Sequence, residues 1–350
     1  MMNIFQNMVE LLGRGEHFVL ATVLTRTGSA PRSAGARMIV RSNGAIIGSV
    51  GGGIVEAKVQ ELSADIFKQR GSMVKEFVLT SEDAGRLGMA CGGGLEILMT
   101  FMDASNRDLL NFYEGLLKSL ETQEKVRLIT RIPTGDNDSP KPAQYLLKEN
   151  GDMFPESSEE KPTWLREMIG EADAAGPVPL SKGAERFLLE PIRSPDTVYI
   201  FGAGHVGQAL AALTGRVGFR TVVLDDREEF ANRQRFGSAD NIIVLDSFEN
   251  ALEGLEIDGA SYLVIVTRGH AFDKTVLGRV LKTKAVYIGM IGSQKKRKAI
   301  YEALMKEGFT SRDLERVHSP IGLDIGAETP EEIAVSIVAE LIQVRASNRK

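Results

Sequence analysis

The chain has 350 residues, enough for about two domains with a core each. Its 43% hydrophobic and 25% charged residues are an ordinary globular composition, and a net charge of −5 lacks the basic surplus that general nucleic-acid binding requires. The single cysteine, Cys91, excludes an intramolecular disulfide framework and a multi-cysteine zinc site, which points to a reducing compartment.

Ile4, Phe5, Met8, Val9, Leu11 and Leu12, interleaved with Glu10 and Glu16, predict an amphipathic helix rather than a signal peptide. No apolar run approaches the ~18 residues of a membrane span, so no membrane partner and a cytoplasmic location are expected. A strand is predicted over Phe18 to Leu24. The loop after it holds Arg26 and Arg32 around a Gly28-Ser29-x-Pro31 turn, suited to an oxyanion or to a solvated connection. Asn43-Gly44 predicts a hairpin between Arg37 to Val40 and Ala45 to Gly48.

This hairpin leads into Gly51-Gly52-Gly53, followed by helical spacing at Ile54, Val55, Val59, Leu62 and Ile66. Three glycines at a helix start bring bare backbone donors together, the pattern of an anion or cofactor contact, or else mark a tight crossing where only glycine fits. Strands are predicted over Val74 to Leu79 and Leu95 to Phe101. The loop between them carries Met89 and Cys91-Gly92-Gly93-Gly94, placing a thiol where a ligand can reach it, with sulfur or soft-metal chemistry or plain packing as its uses.

A helix is expected over Asn106 to Leu120 and a strand over Lys125 to Ile132. Residues 133–183, rich in Pro, Gly, Ser and acids, read as peripheral structure and linker, with a hairpin at Gln144 to Phe154 and a short helix at Trp164 to Ile169. Phe187 to Ile192 is the expected last strand of a domain spanning 1–192, and Pro195 marks the boundary.

The second domain, 195–350, opens on Thr197-Val-Tyr-Ile-Phe-Gly202-Ala-Gly204-His205-Val-Gly207. A strand running through Gly-x-Gly-x-x-Gly into a helix is the dinucleotide-binding arrangement, with a phosphate expected at the helix N-terminus. The next strand, Thr221 to Leu224, ends in Asp225-Asp226, where an acid meets a ribose hydroxyl; Arg227 leaves plain and phosphorylated ribose open. Asn241 to Leu245, Ser261 to Val266 and Lys284 to Ile288 continue as strands between helices, predicting a parallel sheet. The expected class is α/β: a Rossmann-like parallel sheet domain preceded by a mixed α/β domain.

Ligands of such sheets bind beyond the carboxyl ends of the strands. Gly202 to Gly207, Thr267-Arg268-Gly269-His270 with Asp273, and Gly292-Ser293 converge there. His205 and His270 suit acid–base work or helix capping, whereas Lys296 and Lys298 read as the solvated face of a helix. Thr329, Pro330 and Glu332 predict a capped final helix.

Seven motifs in order carry a family resemblance: Gly28 to Arg32, Gly48 to Glu56, Met89 to Gly93, Gly202 to His205, Thr267 to His270, Ile288 to Ser293 and Pro320 to Ala327. Together they resemble the XdhC/CoxI family of accessory factors for xanthine dehydrogenase and related molybdenum hydroxylases. The resemblance implies a chaperone rather than a catalyst. It would bind molybdenum cofactor (molybdopterin), assist its sulfuration with a cysteine desulfurase, and deliver it to the apo-hydroxylase. Cofactor contacts are expected at Gly51, Gly52, Gly53, Cys91, Gly92, Gly93, Gly202, Gly204, His205, Gly207, Asp225, Arg268, His270, Gly292 and Ser293, with Cys91 facing the metal. The alternative reading of the glycine motif is an NAD(P)-dependent oxidoreductase with His270 as its acid–base group. Homo-oligomerisation stays open.

Overall fold

The computed structural model describes residues 2–28, 32–79, 93–133, 144–154, 176–183 and 185–348. The chain divides into two compact units, Met1–Ser194 and Pro195–Lys350.

The N-terminal unit is built on two antiparallel sheets. Helix α1 (Met2–Gly13) precedes β1 (Phe18–Gly28), β2 (Arg37–Arg41), β3 (Ile46–Gly48), α2 (Gly53–Gln69), β4 (Ser72–Leu79) and β5 (Gly93–Met102). The first sheet has the order β3-β2-β1-β5-β4. After α3 (Arg107–Glu121) come β6 (Val126–Ile132), β7 (Gln144–Lys148), β8 (Met153–Phe154), β9 (Val178–Lys182) and β10 (Glu185–Ile192), which form a second sheet ordered β8-β7-β6-β10-β9. Residues 133–183 supply the expected hairpin, β7 and β8 joined around Asn150-Gly151, and in addition β9, so this stretch forms both edges of that sheet. Polar, proline-rich sequence is compatible with edge strands because one side of each needs no partner. The helix expected at Trp164 to Ile169 lies outside the described residues.

The helices follow their apolar spacing. Asn106 caps α3, its side chain accepting from the Asp108 and Leu109 N–H groups, and Phe5 of α1 stacks on Tyr113 of α3. The opposite face of the first sheet packs on α2 through Val55, Val59 and Ile66. Leu24 and Leu98 of the first sheet meet Ile132 and Leu188 of the second. Beside this apolar seam, Glu96 takes two hydrogen bonds from Arg186, at 2.8 and 2.7 Å.

The C-terminal unit runs β11 (Thr197–Phe201), α4 (His205–Arg216), β12 (Arg220–Asp225), β13 (Asn241–Val244), β14 (Ser261–Ile265), α5 (His270–Val280), β15 (Tyr287–Met290), α6 (Gln294–Lys306), α7 (Ser311–Glu315), β16 (Val317–His318) and α8 (Pro330–Asn348). Six parallel strands lie in the order β13-β12-β11-β14-β15-β16. Both faces are covered, as a parallel sheet requires. Val198, Ile200, Val223 and Val264 pack against Leu210 of α4 and Ile337 and Leu341 of α8. Tyr199, Phe201, Leu224, Leu263 and Ile265 point the other way, toward Val276 and Leu277 of α5 and Leu304 of α6. The expected capping box of α8 is present: the Thr329 hydroxyl accepts from the Glu332 N–H, and Glu332 accepts from the Thr329 N–H.

At the β16 edge, Glu340 of α8 accepts from the Gly322 N–H at 2.8 Å and from the Tyr287 hydroxyl, and pairs with His318 Nδ1 at 2.9 Å. Burial pushes this carboxyl up, but His318, Tyr287 and the Gly322 N–H outweigh burial and hold it below its ordinary value. A carboxyl whose folded pKa is depressed stabilises the fold above its unfolded pKa, and that stabilisation is lost as pH falls through the folded value. Glu340→Gln is accordingly expected to lower the melting temperature at neutral pH and to flatten its decline in acid, read by thermal unfolding from pH 7 to about pH 3.

Candidate functional site

The turn Gly202 to Gly207 has three glycines with three different surroundings. At Gly202, with φ +123°, a Cβ would stand 2.3 Å from the Val266 carbonyl oxygen; at Gly207 it would stand 2.1 Å from the Gly202 oxygen. Both close contacts are between main chains, so only glycine fits. At Gly204 nothing lies within 4 Å of a Cβ position. Gly204 is also the N-cap of α4 and supplies no side-chain acceptor to the first N–H groups of this helix. The helix dipole favours an anion there.

Arginines surround this turn. Arg235 donates to the Ala203 carbonyl at 3.2 Å and to Gln208 Oε1 at 3.1 Å. Arg227 and Arg268 come from the ends of the two neighbouring strands. Asp225 sits at the carboxyl end of β12, as expected, but it is 1% exposed and accepts from the Ala203 N–H at 2.7 Å and from Arg227 Nε at 2.8 Å. Burial pushes its carboxyl up, and Arg227 with the Ala203 N–H more than offsets this and holds it low. The Asp225 carboxylate is thus an internal counter-ion rather than an open acceptor.

His205 and His270 are both exposed first residues of their helices, and neither caps: the N-caps are Gly204 and Gly269. His205 lines a pocket of about 440 Å³ between α4 and α8, with Gln208, Ala212, Arg216, Glu331 and Val335. Ser293 caps α6, its hydroxyl accepting from the Lys296 N–H at 3.3 Å. Gly292 lies directly under the Lys296 stem, with a Cβ position 2.9 Å from the Lys296 Cδ.

Lys296 departs from its reading as a solvated residue. Its ammonium pairs with Asp273, and its side chain is 26% exposed while that of Asp273 is 0% exposed. Thr267 donates to the other Asp273 oxygen at 2.5 Å. Burial pushes the Asp273 carboxyl above its ordinary value, only partly countered by Lys296 and Thr267. Lys298, at 80% exposure, does face solvent. The charge run is therefore divided by helix geometry, Lys296 facing α5 and Lys298 facing away.

In the N-terminal unit, Gly51, Gly52 and Gly53 all have positive φ, at 144°, 78° and 54°. Glu56, which was not among the expected contacts, takes part in this turn. Its Oε1 accepts from the Gly52 N–H at 2.9 Å and from the Ser49 hydroxyl at 2.7 Å, so the chain's own carboxylate already sits at the α2 N-terminus. The signal was available in the acid four residues beyond Gly52, close to the spacing of a first-turn capping carboxylate. Gly93 begins β5 and pairs with Gly28 of β1 and Leu79 of β4. Cys91 and Gly92 lie outside the described residues. Among the described residues no cluster of three or more His, Cys, Asp or Glu side chains is arranged to hold a metal. Nor is any helix among them long and apolar enough to cross a membrane.

Comparison with known proteins gives two family models. One, described as the XdhC Rossmann domain, matches residues 198–341, and one described as the XdhC and CoxI family matches residues 11–78. The chain is 28% identical over 347 residues to a probable xanthine dehydrogenase subunit of Bacillus subtilis, covering 97% of each. It is 23% identical over 339 residues to the molybdenum cofactor insertion chaperone PaoD of Escherichia coli, covering 96% of this chain and 86% of PaoD. It is also 24% identical to the uncharacterized protein YqeB of Escherichia coli, of which it spans less than half, 46% of the length. A crystal structure described as a xanthine dehydrogenase from Bacillus halodurans superposes with a TM-score of 0.81 at 25% identity, covering 98% of this chain and 96% of that one. With a matching model in each unit and relatives aligned along nearly its full length, the chain belongs to the XdhC and CoxI family.

Proposed function

We propose that this protein takes part in maturing the molybdenum cofactor of a xanthine dehydrogenase-type hydroxylase, holding the cofactor by its phosphate at the Gly202 to Gly207 turn. The observation that carries the reading is the uncapped N-terminus of α4, open in front of Gly204 and flanked by arginines. The residues fit a phosphomonoester: main-chain N–H groups and a helix dipole meet its oxygens, and Gly204 lets it approach. The pocket that begins at His205, the first residue of α4, has the volume of a small-molecule site. The Gly51 to Gly53 turn fits an anion less well, because Glu56 holds that position. Bound cofactor would supply a dithiolene-held molybdenum; the chain's part is to anchor the phosphate and shield the group in transit. Support comes from the names of the relatives, a probable xanthine dehydrogenase subunit and a molybdenum cofactor insertion chaperone.

Within this reading, sulfuration by a cysteine desulfurase, with Cys91 as the thiol concerned, and delivery to the apo-hydroxylase complete the role. The experiment is mass spectrometry of small molecules released by denaturing freshly purified protein, paired with activation of an apo-hydroxylase. Molybdopterin in the released fraction and faster activation are expected; neither one appearing would end the proposal.

Gly204→Val separates binding from folding. With φ −71° and open space around it, position 204 accepts a side chain, so stability should change by no more than about 0.5 kcal/mol. Retained cofactor should fall about tenfold or more, because the new side chain stands where the phosphate approaches. The amount of ligand copurifying with each variant, measured beside its melting temperature, checks this.

A further inference from the structure

The dinucleotide arrangement needs a carboxylate at the end of the second strand that is free to accept ribose hydroxyls. Here both oxygens of Asp225 are committed within the chain. Oδ2 accepts from the Ala203 N–H at 2.7 Å and from Arg227 Nη2 at 3.0 Å; Oδ1 accepts from the Arg227 N–H at 3.1 Å and its Nε at 2.8 Å. The Arg227 guanidinium also lies 3.8 Å from the centre of the Phe230 ring. A second arginine secures the arrangement from the other side of the sheet's central strand. Arg268, after β14, donates through Nη2 to Asp226 Oδ2 at 2.8 Å and pairs through Nη1 with Asp226 Oδ1. Its guanidinium stands 4.5 Å from the Phe272 ring. Because β11 lies between β12 and β14, the Arg268–Asp226 pair bridges past the end of the strand that carries Gly202.

We propose that Arg227 is a specificity residue: by occupying Asp225 it makes the C-terminal unit reject nucleotides with a free ribose diol, such as NADH and ADP-ribose. A ribose hydroxyl is a neutral donor. It competes against a guanidinium that brings a full positive charge and two N–H groups in fork geometry to the same carboxylate, the bidentate pairing in which arginine is strongest. The diol also has to enter past the Arg268–Asp226 bridge. A ligand with a phosphate and no ribose needs neither Asp225 nor the space held by Arg227, so the glycine turn remains usable. The inference concerns nucleotides alone and stands whether or not molybdenum cofactor is the natural ligand.

The test is calorimetric titration of the purified full chain with NADH and with ADP-ribose. Wild type is expected to show no saturable binding up to about 1 mM. Arg227→Met keeps an unbranched stem against Phe230 and removes the charge and both guanidinium hydrogen bonds to Asp225, leaving the Ala203 N–H on Oδ2, the main-chain N–H of position 227 on Oδ1 and Arg268 Nη1 3.8 Å from Oδ1; it should bind ADP-ribose at least about tenfold more tightly than wild type. Arg268→Met opens the bridge while leaving Arg227 in place, and should bring a smaller gain. Circular dichroism establishes that each variant is folded. Micromolar binding of NADH by wild type overturns the proposal, and so does a folded Arg227→Met that binds no better. Should Arg227→Met not fold, the wild-type titration and Arg268→Met decide, with no gain in Arg268→Met counting against it. Copurified molybdopterin, measured separately, reports on the maturation role and is untouched by either outcome.

Discussion

Arg37→Met is expected to destabilise the N-terminal unit by about 3–5 kcal/mol, the cost of stranding a buried charge. Arg37 of β2 and Glu190 of β10 pair with side chains only 2% and 1% exposed, one from each sheet of that unit. Arg37 also donates to the Gly35 carbonyl at 3.1 Å and lies over the Phe5 ring at 5.0 Å. Its loss would leave Glu190 with no compensating charge, and Glu190 Oε1 already has no hydrogen-bond partner among the described residues. At roughly 2–4 °C per kcal/mol for a unit of this size, the melting temperature should fall by about 10 °C. The double variant Arg37→Met/Glu190→Leu should recover most of the loss, since replacing a whole buried ion pair by apolar groups is often neutral or stabilising. Urea unfolding of the single and double variants gives the coupling directly. A single variant within about 0.5 kcal/mol of wild type would mean that the pair contributes nothing that water does not replace.

The second large effect is expected at the glycine turn. Gly207→Ala places a methyl 2.1 Å from the Gly202 carbonyl oxygen, and α4 has to move away from β11 to make room. Overpacking of this kind costs about 1–3 kcal/mol. Gly202→Ala meets the Val266 oxygen at 2.3 Å and adds the strain of φ +123° in a residue with a side chain, for a total of about 2–5 kcal/mol. Both variants shift the N–H groups of the α4 N-terminus, so both should lose copurified ligand together with stability. Gly204→Val should lose ligand alone. Melting temperature and retained ligand across the three variants sort packing from binding. Unchanged stability in Gly207→Ala would show that the helix is free to move, and the turn would then be too loose to position a phosphate.

The three glycines share one motif and were legible as a unit because every residue that defines the motif is local. A strand, a turn and a helix start follow one another within Thr197 to Gly207, and the turn allows only one path. The same locality made the Asn43-Gly44 hairpin, the α3 start at Asn106 and the α8 capping box readable. The second sheet of the N-terminal unit was not readable in this way. Its order, β8-β7-β6-β10-β9, joins strands separated by residues 155–175, and no local pattern announces which edge a short polar strand will take. Within 133–183 the Gln144 to Phe154 hairpin was readable from Asn150-Gly151, whereas β9 at the opposite edge was not.

At the candidate site the difference is sharper. Residue types and spacing identified the Gly202 to Gly207 turn, Asp225 at the end of its strand, Arg268 on its loop and Ser293 at a helix start, because backbone geometry alone sets those positions. Side-chain direction set everything else. Asp225 and Arg227 are two residues apart, yet only the folded chain shows the guanidinium turned onto the carboxylate. Lys296 and Lys298 look alike in a charge run, and only the packing of α6 against α5 brings one of them to buried Asp273. Arg37 and Glu190 stand 153 residues apart and meet because two sheets stack. Residue order was enough to specify the α/β class, the parallel sheet and the glycine turn between β11 and α4, since these depend on periodicity and on backbone freedom within a few residues. Which charges neutralise each other emerged only on folding, because a carboxylate selects its partner by proximity in space and by the water excluded around it.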